Sequence, residues 1–391
     1  MKVVSNYLKK SVLLIFVGIC TVTCTEPFEV ELDDFENILV IEASITDEMK
    51  RQEIFISRTY TTDEEVVQES GAIVNVSDDV GNTYTFQENG AGLYVSSTEF
   101  AALSGRNYRL QIETADGRSY SSSTAALPPS GQIDEVKAMR TTNKGGVDGV
   151  AILVSGSAEG EETAFFRYKF EETYRIVSFY NPQDDLVIVS ENPPELELMN
   201  KTREERICYN TLFSNKILIA DSDNFSANRV VDFQIRFIER LDRIVVSRYS
   251  ILAIQFTQSE EANVFYKTLQ EFSGNTSLFL QTQPGFLAGN VSSENDEDEK
   301  VLGLFEVTSV STKRLFFSFN EIFGIEETRF SPECSTVAGF GLSNPILFDR
   351  IKSGRWKYIN EDPPNVYNVA QVQCVDCNVL GTNVVPDFWE D

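Results

Sequence analysis

The chain has 391 residues, a formal net charge of −27 and no histidine. Its length allows one large domain or two, each with a real core. The missing histidine excludes Ser-His-Asp and Cys-His nucleophile systems, histidine metal ligands and a histidine pH switch. The acidic balance excludes binding to nucleic acid or anionic lipid by counterion release.

Lys2, Lys9 and Lys10 precede an uninterrupted apolar run over residues 12–20. That run is too short to span a bilayer, and its layout predicts a secretory signal peptide over residues 1–23. Thr21-Val22-Thr23-Cys24 is a loose form of the box at which a bacterial signal is cut and the cysteine receives lipid. Cys20 competes, but the bulky Ile19 before it is a poor cleavage residue. Cys24 is the predicted lipidation site. Two or three acyl chains, at ~0.8 kcal/mol per buried methylene, anchor firmly where one does not. Residues 24–36 are acidic and contain Pro27, which reads as a tether. Acidic residues directly after the cysteine fit display on the outer face of an outer membrane, with the periplasmic face as the alternative.

Over residues 37–127 the pattern predicts seven short strands, at 38–45, 53–57, 73–76, 83–86, 93–95, 108–112 and 118–121. Turn signals such as Asn89-Gly90 and Asp116-Gly117 separate them about every ten residues, the signature of an immunoglobulin-like β-sandwich. Tyr108 stands where such folds place a tyrosine corner, although an ordinary core aromatic fits as well. Leu127-Pro128-Pro129-Ser130-Gly131 is the predicted boundary, because the two prolines hold an extended linker.

Residues 132–391 read as a larger antiparallel β domain with one or two helices. Residues 164–177, 230–237 and 244–256 are predicted strands. On the first, Tyr168 and Phe170 share a face, and Arg167, Lys169 and Glu171 lie opposite. A helix is predicted over 259–272, with apolar residues at 262, 265, 266, 269 and 272 and with Thr257 or Ser259 as cap. That stripe reads as core packing on a sheet. A second helix is predicted over 345–352 from Asn344 as cap, Pro345 in the first turn and Gly354 beyond.

Candidate chemistry is sparse. The acidic run over 294–299 has no glycine and the wrong period for a calcium loop, so it reads as a solvated hairpin. No spacing singles out two facing carboxylates, which an acid–base hydrolase would need. Cys208, Cys334, Cys374 and Cys377 are an even set in an exported chain and are predicted to be disulfide-bonded rather than to hold zinc. Connectivity is not deducible. The expected pairs are Cys374–Cys377 and Cys208–Cys334, with the first stapling a tail whose Phe388 and Trp389 tuck back onto the body. No cofactor, metal site or catalytic residue is expected.

Several stretches together resemble one family. They are Arg167-Tyr168-Lys169-Phe170-Glu171-Glu172-Thr173-Tyr174; Tyr249-Ser250-Ile251-Leu252 leading into Ser259-Glu260-Glu261-Ala262; Gln283-Pro284 with Leu287, Gly289 and Asn290; and Cys374-Val375-Asp376-Cys377 followed by Gly381-Thr382-Asn383 and Pro386-Asp387-Phe388-Trp389. Their order and spacing resemble the domain of unknown function 4249 family of bacterial outer-membrane lipoproteins. The family has no assigned chemistry, so no catalytic residue follows from it. The resemblance implies an accessory lipoprotein partnered with a TonB-dependent transporter, as a binding or lid module. A surface structural or adhesion protein is the alternative.

Overall fold

The computed structural model describes residues 38–59, 67–160, 163–222, 228–274, 287, 289–325, 327, 329, 334 and 337–391. The predicted signal peptide, Cys20, Cys24, the tether and Gln283-Pro284 lie outside the described residues.

The chain is mainly β. Alternating side chains build the first part as expected: Leu39–Thr46, Glu53–Arg58, Ile73–Asp78, Thr83–Glu88, Leu93–Ser96, Asn107–Glu113 and Ser119–Ser122 are strands. In Asn107–Glu113 every second residue is buried, the pattern of a strand with one face on a core. Two-residue strands at Val67–Gln68 and Ala125–Ala126 are too short to read from sequence. Tyr108 is fully buried, and its hydroxyl accepts the Leu103 N–H at 2.9 Å, so it ties back to the backbone just upstream as a tyrosine corner does.

The strand that organises the molecule is Val301–Ser318, eighteen residues long. Its first half runs parallel to Leu39–Thr46, from Leu39 opposite Val301 to Thr46 opposite Thr308. Its second half runs antiparallel to Arg248–Gln258, from Thr257 opposite Ser309 to Arg248 opposite Ser318. One fifteen-stranded sheet therefore passes through both parts of the chain. The boundary at 127–131 separates sequence neighbours, but the first core is completed from far downstream. Val291, Val301, Phe305 and Val307 belong to it together with Ile41, Ile54, Val76 and Leu110.

Gly289 and Asn290, two of the residues that carried the resemblance, set this crossing. The Asn290 side chain accepts the Phe305 N–H and donates to the Phe305 carbonyl, both at 2.8 Å. A Cβ at position 289 would stand 1.6 Å from the Gly303 carbonyl oxygen, so glycine alone fits. The acidic run over 294–299 is not a hairpin, because the strands on either side pair elsewhere: Val291–Ser293 with Ser119–Ser122, and Val301–Ser318 as above. Residues 294–298 are exposed, as a solvated run requires, while Glu299 is held by Arg118 at 2.9 Å and the Tyr120 hydroxyl at 2.8 Å.

The second core lies between two layers. One is the three-stranded sheet of Gly131–Thr142, Asp148–Ala158 and Arg229–Glu239. The other is built from Phe165–Val177, Arg248–Gln258 and the end of the long strand. Phe166, Tyr168, Ile251, Ala253 and Phe317 meet Val150, Ile152 and Val154 there. The strand expected from residue 244 begins instead at Arg248, after a 3-10 turn over Arg243–Val245 that Asp242 caps.

Helix α1 is Glu260–Gly274, with Ser259 Oγ accepting the Ala262 N–H at 3.2 Å. Helix α2 is the short Phe319–Phe323. Helix α3 is Pro345–Lys352, capped by Asn344 as the sequence indicates. It packs on the hairpin Asp184–Glu191 and Pro194–Asn200 and on the small sheet of Ala338–Phe340, Trp356–Glu361 and Tyr367–Gln371.

All four downstream cysteines are disulfide-bonded, but the pairs are Cys208–Cys377 and Cys334–Cys374, with Cα atoms 5.6 and 5.7 Å apart. Cys374 and Cys377 stand in successive 3-10 turns that carry them to different neighbours. The Cys377 N–H donates to the Glu205 carbonyl, beside the strand holding Cys208. The Cys374 carbonyl accepts the Tyr180 N–H, and the Tyr180 hydroxyl donates to the Cys334 carbonyl. Beyond the staples the tail does fold back. Trp389 stands edge-on to Tyr209 and Phe316, and Arg314 lies 3.5 Å over the Phe388 ring.

Candidate functional site

The outer face of the shared sheet carries the candidate site. Period-two alternation sends Phe166 and Tyr168 into the second core and Arg167 and Lys169 to the opposite side. The same rule puts Ile41, Phe305 and Val307 in the first core, and leaves Val40, Glu42, Leu302 and Leu304 on the outer side. Helix α1 lies across that face. Lys267 pins it to Asp221 at 2.8 Å, and Gln270 donates to the Ile217 carbonyl at 2.6 Å. The apolar stripe of α1 does not close fully on the sheet. Ala262 and Asn263 are buried, while Phe265, Tyr266 and Leu269 border a cavity of about 500 Å³.

Two kinds of wall surround this space. Val40, Phe265, Leu269, Leu302 and Leu304 are apolar, and Arg167, Lys169 and Lys216 are cationic. Arg167 is 5% exposed. Its Nη2 donates to Glu306 Oε1 at 2.5 Å, and its guanidinium lies between the Phe256 and Tyr266 rings at 4.4 and 4.5 Å. Glu306, 3% exposed, also accepts Tyr266 OH at 3.2 Å and Gln258 Nε2 at 2.8 Å. Burial pushes the Tyr266 hydroxyl far up, with the Glu306 charge adding to it, so Tyr266 stays protonated and donating. Among the described residues the Arg167 Nε–H has no hydrogen-bond partner. Lys169 and Lys216 have no carboxylate within ion-pair distance among the described residues, and Glu42 is the carboxylate bordering the cavity.

A second charged cluster is structural. Glu205, 4% exposed, meets Lys201 at 2.8 Å, Arg203 at 2.9 Å and Lys357 at 2.6 Å. Lys357 also reaches Asp185 at 2.7 Å, and Arg203 pairs with Asp376. The cluster ties the disulfide-bonded turns to the Trp356–Glu361 strand. Burial alone would raise the Glu205 carboxyl, but the bonds from Lys201, Lys357 and Arg203 overcome it and hold the pKa at about 2. A folded pKa below the unfolded value of 4.5 gives stability that is present above pH 4.5 and lost as pH falls toward 2. Thermal midpoints measured across that window should fall, by an amount equivalent to up to about 3 kcal/mol. A Glu205→Gln variant should start less stable at pH 7 and lose less over the same window.

Among the described residues no group of three or more His, Cys, Asp or Glu is placed to hold a metal ion. Period two places Arg167 and Lys169 on one strand face, but no pattern in the sequence marks either of them, or Glu306, as a site residue. The expected lipidation residue Cys24 lies outside the described residues. The expected disulfide residues stand away from the cavity and border the tail.

No curated protein matches the chain. Among solved structures it is similar to a DUF4785 family protein from Legionella pneumophila, with a TM-score of 0.20 and 8% identity. That match covers 56% of this chain and 52% of the other, and it carries no argument about either. A family model does match residues 25–314, which include the long strand as far as Arg314, helix α1 and every residue that borders the cavity. The chain belongs to the family that this model describes as a domain of unknown function, DUF4249.

Proposed function

We propose that this protein is a lipid-anchored binding module of a bacterial outer membrane, working beside a TonB-dependent transporter and catalysing nothing itself. The observation that carries the binding reading is the cavity under α1, about 500 Å³ with apolar walls and a few charged groups. That size and lining are those of small-molecule sites. Its position supports the anchored reading. Val40 and Glu42 stand on the first described strand, which follows the predicted tether directly. Fourteen residue steps lead from Cys24 to Ile38. Fully extended, at ~3.5 Å per residue, they reach about 50 Å. A cavity beside that strand would stay close to the membrane and to whatever spans it.

The test has two parts. With Cys24→Ala the protein should lose its label from a palmitate analogue, and undiminished labelling would point to Cys20 instead. Wild-type protein carrying a C-terminal tag should bring down a transporter in near-equal amount from mild detergent, since a lasting interface of more than roughly 1,000 Å² survives extraction. If it elutes alone, and deleting its gene leaves uptake unchanged, the partnership fails and the adhesion reading takes its place.

A further inference from the structure

We propose that the cavity beneath α1 takes an amphipathic carboxylate, with its apolar body on the helix and sheet walls and its charged head at Lys169 and Lys216. This deepens the binding reading and rests on the cavity being the ligand site. It is independent of the transporter.

The chain carries a net charge of −27, with 60 Asp and Glu against 33 Lys and Arg. Most cations here do find carboxylates: Arg58 with Glu69, Arg236 with Glu172, Lys267 with Asp221 and Lys357 with Glu205 are examples. Lys169 and Lys216 border one cavity and have no such partner among the described residues. Lys169 Nζ stands 5.9 Å from the Phe256 ring centroid, and Glu42 and Glu306 act on it only from beyond ion-pair distance. Desolvation first, and the neighbouring Arg167 charge second, hold this lysine below its ordinary range. An arriving anion relieves both effects by giving the ammonium a counter-charge.

Arg167 does not neutralise such a head, because Glu306 already holds its Nη2. Its buried Nε–H is left over as a donor inside the wall. Buried donors without partners cost free energy, and a bound oxygen or water removes that cost.

The body of the ligand follows from the rest of the wall. Val40, Leu302 and Leu304 rise from the sheet, and Phe265 and Leu269 descend from the helix. A small inorganic anion would leave these surfaces wet. An amphipathic cation would meet Arg167, Lys169 and Lys216, against Glu42 as the one carboxylate among the described residues that border the cavity. An acid with an alkyl or aryl body satisfies both walls at once.

The experiment is calorimetric titration of the mature chain carrying Cys24→Ser, which removes acyl chains that would compete. The probes are decanoate and decyltrimethylammonium, each below its micelle concentration, and decanol below its solubility limit. Decanoate should bind, and the other two should bind at least tenfold more weakly. Lys169→Met with Lys216→Met, folded by circular dichroism, should bring decanoate down to the level of decanol. Equal binding of decanoate and decanol, or undiminished decanoate binding by the double variant, overturns the anionic head and leaves the cavity reading standing. Leu269→Trp fills the cavity from the helix, on the exposed side of the fold. Undiminished binding by that variant, or no binding of any probe to the parent chain, overturns the cavity as the ligand site.

Discussion

A fragment ending at Leu127 should not fold, although the seven strands legible in its sequence are all present. In the structure those strands wrap a core to which Val291, Val301, Phe305 and Val307 contribute buried side chains. Full burial of such side chains is worth about 1.5–3 kcal/mol each. Four of them amount to roughly 6–12 kcal/mol, comparable to the whole stability of an ordinary domain. Removing them would also strip Leu39–Thr46 of an eight-residue parallel partner and leave its edge open. Residues 37–127 alone should give a collapsed amide proton spectrum and early proteolysis throughout. The same fragment joined by a flexible linker to residues 289–310 should recover dispersed resonances. A well-dispersed spectrum from residues 37–127 by themselves would show that the long strand is an addition to the first core rather than part of it.

That expectation also shows where sequence reading stops. Asn107–Glu113 announces itself because one face is buried and the other wet. Helix α3 announces itself through Asn344, Pro345 and Gly354, which are local signals. Val301–Ser318 gives no such signal. From Val301 to Ser309 all but one of its residues are buried, so alternation disappears and polar Glu306, Thr308 and Ser309 interrupt the apolar run. Its change of partner between Thr308 and Ser309 is a long-range fact. The disulfides fail for the same reason. Pairing two cysteines three residues apart is the local guess, whereas the actual bonds join positions 169 and 40 residues apart. The cavity was half legible. The face holding Arg167 and Lys169 follows from period two, and the α1 stripe from helical spacing. That the two faces meet without closing depends on how far the helix stands from the sheet, which no pattern in the chain encodes.

The largest single-residue effect should come from Glu306→Ala. Glu306 and Arg167 are the most deeply buried ion pair in the protein's outer sheet face, 3% and 5% exposed. Two charges taken out of water lose several kcal/mol of hydration each, and only their mutual attraction and further hydrogen bonds recover it. Here the recovery is built from five contacts: the Arg167 bond, the Gln258 and Tyr266 bonds to the carboxylate, and the Phe256 and Tyr266 rings against the guanidinium. Glu306→Ala removes the carboxylate and leaves Arg167 charged, because a guanidinium does not give up its proton. Breaking a buried pair in this way costs about 3–5 kcal/mol. Replacing both partners by apolar groups, as in Arg167→Met with Glu306→Leu, avoids the stranded charge and should be less destabilising than Glu306→Ala alone. Urea midpoints for Arg167→Met, Glu306→Leu and the two combined give the coupling directly. A double variant whose loss equals the sum of the singles would mean that the two charges are each solvated on their own, and that α1 is held over the sheet by its apolar contacts and the Lys267–Asp221 bridge without the buried pair.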